Sequence, residues 1–408
     1  MEPIQKTVLP NGVRVLTERI DHVGSASIGV WCRTGSTHEN ADEGGITHLI
    51  EHMLFKGTPS RTAKDIAESI EGRGGMLNAF TDKEQTCYYC RTLAEDASNG
   101  LDVLTDMVRN ALIEPKELAT EKGVVLEEIK RSEDEPGDHV HDLHMEGLWP
   151  DHELGLPIIG TRESVSSFEQ KNLKDYIARR YIGANLVVAA AGKVDHDAFV
   201  RLTEASLGDL PAGSADAPLT RPTPHAGDNL VAKDVEQVHF CIGTEGTSQY
   251  DDDLYAAIIL DGVLGSGMSS RLFQEVREKR GLVYSIGSYH MPYSSGGAFT
   301  VYGGTGLETW QQVRDVVRTE FDKIMADGPT EGELDRAKKL IGGSLIMGLE
   351  STSNRMMRLA KNELVHGRHI PMEETKAKIE AVTAGQVTAL AQRVLGVERI
   401  RTTAIGPF

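Results

Sequence analysis

The sequence has no surplus of positive charge. Its 43 Lys and Arg stand against 61 Asp and Glu, a formal net charge of −18, and such a chain lacks the basic surface that neutralises nucleic-acid phosphates. A surface of this sign attracts basic partners instead, Lys/Arg-rich peptides among them. Long apolar runs are also missing, and none approaches the roughly 20 residues of a membrane-spanning helix. The opening "MEPIQKTVLPNGVRVLTERI" has neither an apolar signal core nor an Arg-rich, acid-free presequence. "LPNGVRVL" already reads as a turn and a strand, so a cytoplasmic location is expected. Cysteine is scarce: Cys32, Cys87, Cys90 and Cys241 are too few for a disulfide framework in 408 residues. The C-x-x-C of "TCYYC" lies in a β-branched, aromatic stretch. On a strand, positions i and i+3 face opposite ways, so Cys87 and Cys90 are expected to be structural.

What is present describes a soluble globular protein, 39% hydrophobic and 25% charged, long enough for two or three domains. "LGDLPAGSADAPLTRPTPHAGDN" is rich in Pro, Gly, Ala and Asp without apolar periodicity and reads as a linker, residues 207–229. It separates residues 1–206 from 230–408, and the two halves read alike. "SASIGVWCRTGSTHEN" and "QVHFCIGTEGTSQYDD" are each an alternating strand followed by a Gly/Ser/Thr turn. Each is followed by an apolar helix, a charged helix, two strands and a long amphipathic helix, the last being "AEDASNGLDVLTDMVRNAL" or "GLETWQQVRDVVRTEFDKIM". The expected fold is therefore α+β, with two homologous domains, each a mainly antiparallel sheet packed with helices.

"GGITHLIEHMLFKGT" carries His48-Leu-Ile-Glu51-His52. Residues four apart stack on one helix face, so His48 and His52 can reach a single metal ion. Glu51 lies at the edge of that face, where a carboxylate can hold a water and accept its proton. A catalytic zinc needs a third protein ligand, a carboxylate or imidazole from another element. The flanking Leu49, Ile50, Met53 and Leu54 imply a largely buried helix, and a buried Glu beside two His needs a partner charge that a cation supplies. "HVHDLH", His139 to His144, alternates histidines in an acidic, flexible-looking stretch and is not expected to form a second metal site.

The inverted H-x-x-E-H motif resembles that of the inverzincins, the pitrilysin/insulysin family of zinc peptidases. The likeness runs over essentially the whole chain, nearest to the mitochondrial-processing-peptidase-like branch and its bacterial relatives. In that family a Glu about 76 positions beyond the second His completes the site. Here that position is Glu128, in "TEKGVVLEEIKRSEDEP". The resemblance thus implies one zinc per chain on His48, His52 and Glu128. Glu121, two turns earlier on the same helix face, would support the ligands, while Glu127 points away to solvent.

Further implications follow from the same likeness. "GGMLNAFTDKEQTCYY" resembles the family's edge strand, where Leu77, Asn78 and Ala79 would pair with an extended peptide. Phe55 matches a position lining the pocket for the residue after the cut. "REKRGLVY" resembles the R-x6-Y element, so that Arg277 and Tyr284 would bind substrate and stabilise the oxyanion. In this branch the chamber forms between two two-domain chains, and the Arg/Tyr pair comes from the partner. This sequence carries both sets, which favours a homodimer over a heterodimer with a related chain. The short "LGSGMSSRL" lacks the long Gly-rich loop of the mitochondrial regulatory subunit, which points to a bacterial homologue. The expected activity is a zinc endopeptidase acting on peptides or unfolded, presequence-like segments. The rival is a non-catalytic structural subunit like the core proteins of the respiratory bc1 complex.

Overall fold

A computed structural model of the chain describes residues 4–214 and 218–408. Residues 1–3 of the first expected domain and 215–217 of the expected linker lie outside the described residues. Two compact units emerge, and neither is continuous in sequence. The first is built from Met1–Ile129, Pro157–Ala217 and Met347–His369; the second from Lys130–Leu156, Pro218–Ile346 and Ile370–Phe408.

The first unit holds a six-stranded sheet of β1 (Ile4–Val8), β2 (Arg14–Arg19), β3 (Ser25–Cys32), β4 (Met76–Thr81), β5 (Thr86–Leu93) and β6 (Leu186–Gly192), in the order β1-β2-β6-β3-β5-β4. All neighbours are antiparallel except β2 and β6. Alternation along the strands sends side chains to two buried faces. Ile28, Val30, Tyr88, Cys90, Val188 and Ala190 pack with the helices Ile46–Leu54 and Ala97–Asn110 in the main core. Trp31, Cys87, Val187 and Ala189 face the other way, where the helix Thr352–His366 covers them with Met356, Leu359 and Ala360. Cys87 and Cys90 thus fall in different cores, and all four cysteines are buried and outside any disulfide.

The second unit repeats the plan with β7 (Gly227–Ala232), β8 (Val238–Glu245), β9 (Val283–Pro292), β10 (Gly297–Thr305) and β11 (Arg401–Gly406), ordered β7-β11-β8-β10-β9. Its single parallel pair, β7 with β11, stands where β2 and β6 stand in the first sheet. Strand for strand this is β2-β6-β3-β5-β4, so the duplication expected from sequence is visible as topology. One face is covered by the helices Leu254–Leu264 and Leu307–Asp327. On the other, Val140 and Leu143 of the helix Pro136–Leu148 pack against Cys241 and Ile405. The stretch "HVHDLH" lies inside that helix, a correction to its flexible reading. His141 Nδ1 meets the Tyr289 hydroxyl at 2.9 Å and His144 Nδ1 meets Thr403 Oγ1 at 3.3 Å. Among the described residues, no helix is long and apolar enough to cross a membrane.

Candidate metal centre

The site rests on the nine-residue helix Ile46–Leu54. Its entry is set by Gly45, at φ 87°, where an added Cβ would lie 2.5 Å from the Ile159 carbonyl oxygen. Only glycine fits such a place. Ile46, Leu49, Ile50, Met53 and Leu54 are buried in the core, each such side chain worth about 1.5–3 kcal/mol. That burial fixes the helix's rotation and leaves His48, Glu51 and His52 on the other, half-buried side.

Glu128 comes from the helix Pro115–Asp134, which anchors itself in the same core through Leu118, Val125 and Ile129. Its Oε2 lies 4.0 Å from His48 Nε2 and 3.6 Å from His52 Nε2. One ligand atom from each of the three residues falls within 4.8 Å of the others, and the two rings stand edge to face at 4.8 Å. Glu127, one position earlier, is exposed. Two turns back, Glu121 is 5% exposed, and its Oε2 sits 3.1 Å from His52 Nδ1. Its other oxygen pairs with Lys56 Nζ at 2.6 Å. A carboxylate only accepts, so His52 carries its proton on Nδ1 and turns the Nε2 lone pair toward Glu128.

The electrostatics fit a cation. Burial, then the neighbouring His52, pushes His48 down to about 4, so its imidazole is neutral near pH 7 and able to coordinate. At 3.6 and 4.0 Å the contacts to Glu128 are too long for hydrogen bonds, so the three atoms converge without bonding to one another. Bonds of about 2.0–2.2 Å to a tetrahedral zinc would draw such atoms to within about 3.5 Å of one another, a small contraction of what is seen. The donor set of two imidazoles and a carboxylate is one that zinc accepts with a coordination position left open.

Beside the three ligand atoms, burial raises the Glu51 carboxyl above the usual carboxylate range, against a hydrogen bond from Thr81 and the pull of His52. Thr81 Oγ1 donates to Glu51 Oε2 at 2.5 Å. Thr81 closes β4, an edge strand that also carries Leu77, Asn78 and Ala79, paired to Cys90, Tyr89 and Tyr88 of β5. The Ala79 N–H donates to Asn78 Oδ1 at 2.8 Å. Phe55 follows the metal helix and packs half-buried against the core.

Arg277 and Tyr284 belong to the second unit and come together there. The Arg277 guanidinium stacks over the rings of Phe273, at 4.7 Å, and Tyr284, at 5.6 Å. Arg277 sits on the π-helix Phe273–Glu278 where a charged α-helix was expected, and such turns recur at functional sites. Tyr284 is 84% exposed at the start of β9, the strand that corresponds to β4. Three residues near the candidate metal centre carry no sequence signal of their own: Lys56, Thr81 and Glu39, whose carboxylate caps the helix Ile46–Leu54.

Residues 14–162 match the model of the insulinase family, peptidase family M16, and residues 167–341 match the peptidase M16 inactive domain. An uncharacterized zinc protease of Bacillus subtilis, YmxG, is 41% identical over 391 residues, covering 96% of this chain and 95% of the relative. The chain belongs to peptidase family M16. A Streptomyces coelicolor uncharacterized zinc protease is 40% identical over 99% of this chain and 90% of its own length. Two solved structures share the fold. A peptidase M16 inactive-domain protein from Pseudomonas fluorescens superposes with a TM-score of 0.92 at 23% identity, over 99% of this chain and 98% of that one. A chain of complex III2 from Candida albicans gives 0.87 at 21% identity, over 99% and 96%. Within the M16 chain, the insulinase match spans His48, Glu51, His52, Glu121 and Glu128; the inactive-domain match spans Arg277 and Tyr284.

Proposed function

We propose that this M16 chain is a zinc endopeptidase that cuts peptides and unfolded, presequence-like segments. The observation that carries the reading is the convergence of His48, His52 and Glu128 beside Glu51. Zinc held there, one ion per chain, would supply Lewis acidity to a water and to the scissile carbonyl. Glu51 takes the proton of the attacking water and passes it to the leaving amine. Thr81 aims the carboxylate, and Glu121 holds the His52 ring. An extended substrate adds to the open edge of β4 along Leu77, Asn78 and Ala79, with Phe55 against the residue following the cut. Arg277 and Tyr284, from the second unit of a partner copy in a homodimer, donate toward the developing oxyanion. The net charge of −18 favours basic substrates, and the bacterial relatives favour a bacterial, cytoplasmic setting.

The fold likeness to a complex III2 chain supports a second reading, a non-catalytic structural subunit. Metal analysis separates the two. The enzyme reading expects one zinc per purified chain, cleavage of a peptide library, and a Glu51→Gln variant that keeps zinc while losing cleavage. A chain without stoichiometric zinc leaves only the structural role, and undiminished cleavage by Glu51→Gln removes Glu51 from the chemistry.

A further inference from the structure

Glu39 is 3% exposed, and no cation lies within ion-pair distance of it among the described residues. Its Oε2 accepts the Gly45 N–H at 2.8 Å and its Oε1 accepts the Thr47 N–H at 2.9 Å. These are donors at the start of the metal helix that no intrahelical carbonyl can satisfy. The helix has no capping side chain of its own, because its N-cap is Gly45, and the Ile159 carbonyl leaves no room there for a Ser or Asp. The next residue after Thr47 is the ligand His48, and His52 follows one turn on. Thr47 is further held through its hydroxyl, 2.9 Å from the Tyr176 hydroxyl, which also meets Thr34 Oγ1 at 2.9 Å.

A buried carboxylate is a costly way to cap a helix. Burial drives this carboxyl up to about 7, against the two backbone donors, so near neutral pH the folded chain bears much of the cost of desolvating the charge. What the carboxylate provides in return is a two-point clamp on the backbone immediately ahead of a metal ligand, in a helix only nine residues long. We propose that Glu39 is a positioning residue for the metal centre, fixing the first turn of the helix so that His48 and His52 meet Glu128 at coordinating distance. This rests on the metal-centre reading given above.

The test compares zinc affinity with stability in the full chain. Zinc ion alone is titrated against a chromogenic chelator, and thermal unfolding of the metal-free forms is recorded alongside. Glu39→Gln keeps the shape and one acceptor; it is expected to weaken zinc binding about 10-fold or more, the scale of lost support behind a metal ligand. Tyr176→Phe removes a buried hydroxyl from the same network without touching the clamped N–H groups, and is expected to keep zinc affinity within about twofold. Should Glu39→Gln fail to fold, Glu39→Asp, which withdraws the charge by one methylene, is expected to lose affinity in the same direction. Unchanged affinity in a folded Glu39 variant overturns the inference, as does an equal loss in Tyr176→Phe, which would mark a general effect of stability. A wild-type chain that takes up no zinc overturns the metal-centre reading itself, a result distinct from either variant outcome.

Discussion

His52 Nδ1 and Glu121 Oε2 stand 3.1 Å apart, and the other oxygen of that carboxylate holds Lys56 Nζ at 2.6 Å. Lysine, carboxylate and imidazole form a chain ending on the Nε2 lone pair that faces Glu128. Lys56 is four residues beyond His52, so the metal motif supplies the cation that secures its own supporting carboxylate. Glu121→Gln should keep the fold and weaken zinc binding about 10–100-fold, read by chelator competition. Lys56→Met should shift affinity the same way, since it leaves a buried carboxylate without its cation. Wild-type affinity in Glu121→Gln would mean that packing alone orients the ring.

Among the described residues, Thr81 alone donates a hydrogen bond to Glu51, and it belongs to the strand proposed to pair with substrate. A hydrogen bond to a charged group is worth about 1.5–3 kcal/mol, so Thr81→Val should lower kcat on the order of tenfold or more. Zinc content should be unchanged and Thr81→Ser should retain most of the rate. An equal fall in both variants would point to the Thr81 methyl group and its packing instead.

The helix spacing of His48, Glu51 and His52 was legible because a period of 3.6 residues maps sequence distance onto a face. Periodicity also marked the strands and the repeated order of elements that the two sheets reproduce. The partners of apolar faces were not legible. The helices Pro136–Leu148 and Thr352–His366 each show an apolar stripe, but a stripe does not say which sheet it covers, and these two make both compact units discontinuous. Glu39 and Thr81 act on a backbone amide and on another side chain through tertiary contact, so no local pattern announces them. The π-turn under Arg277 escaped for a related reason, since its charged sequence suits an ordinary helix equally well.

In the second unit, Glu333 meets Arg271 in a two-pronged pair, Nε to Oε1 at 2.7 Å and Nη2 to Oε2 at 2.8 Å. Burial pushes the Glu333 carboxyl up, but Arg271 and the Thr330 N–H and hydroxyl outweigh it and hold it down at about 2. A depressed carboxyl contributes stability above its unfolded value, near 4.5, and loses it as pH falls toward 2. Glu333→Gln should therefore destabilise the chain at pH 7, on the order of 2 kcal/mol. The gap from wild type should narrow as pH drops below about 4.5. Denaturant midpoints across that range measure it, and a gap independent of pH would assign the effect to shape.

Arg277 and Tyr284 stack on each other in one unit, while the three convergent ligand atoms belong to the other. If each site takes its Arg/Tyr pair from the partner copy, two inactive variants must repair one another. Glu51→Gln lacks the base but has an intact pair; Arg277→Ala has the base but lacks the guanidinium. In a mixed dimer one site then combines both defects and the other is whole. With random exchange at equal amounts, half the dimers are mixed, so activity should return to about a quarter of wild type. Pairing within a single chain predicts no recovery at any ratio. Unfolding and refolding the variants together before the assay ensures that exchange has occurred, and size-exclusion with light scattering reports whether the dimer exists at all.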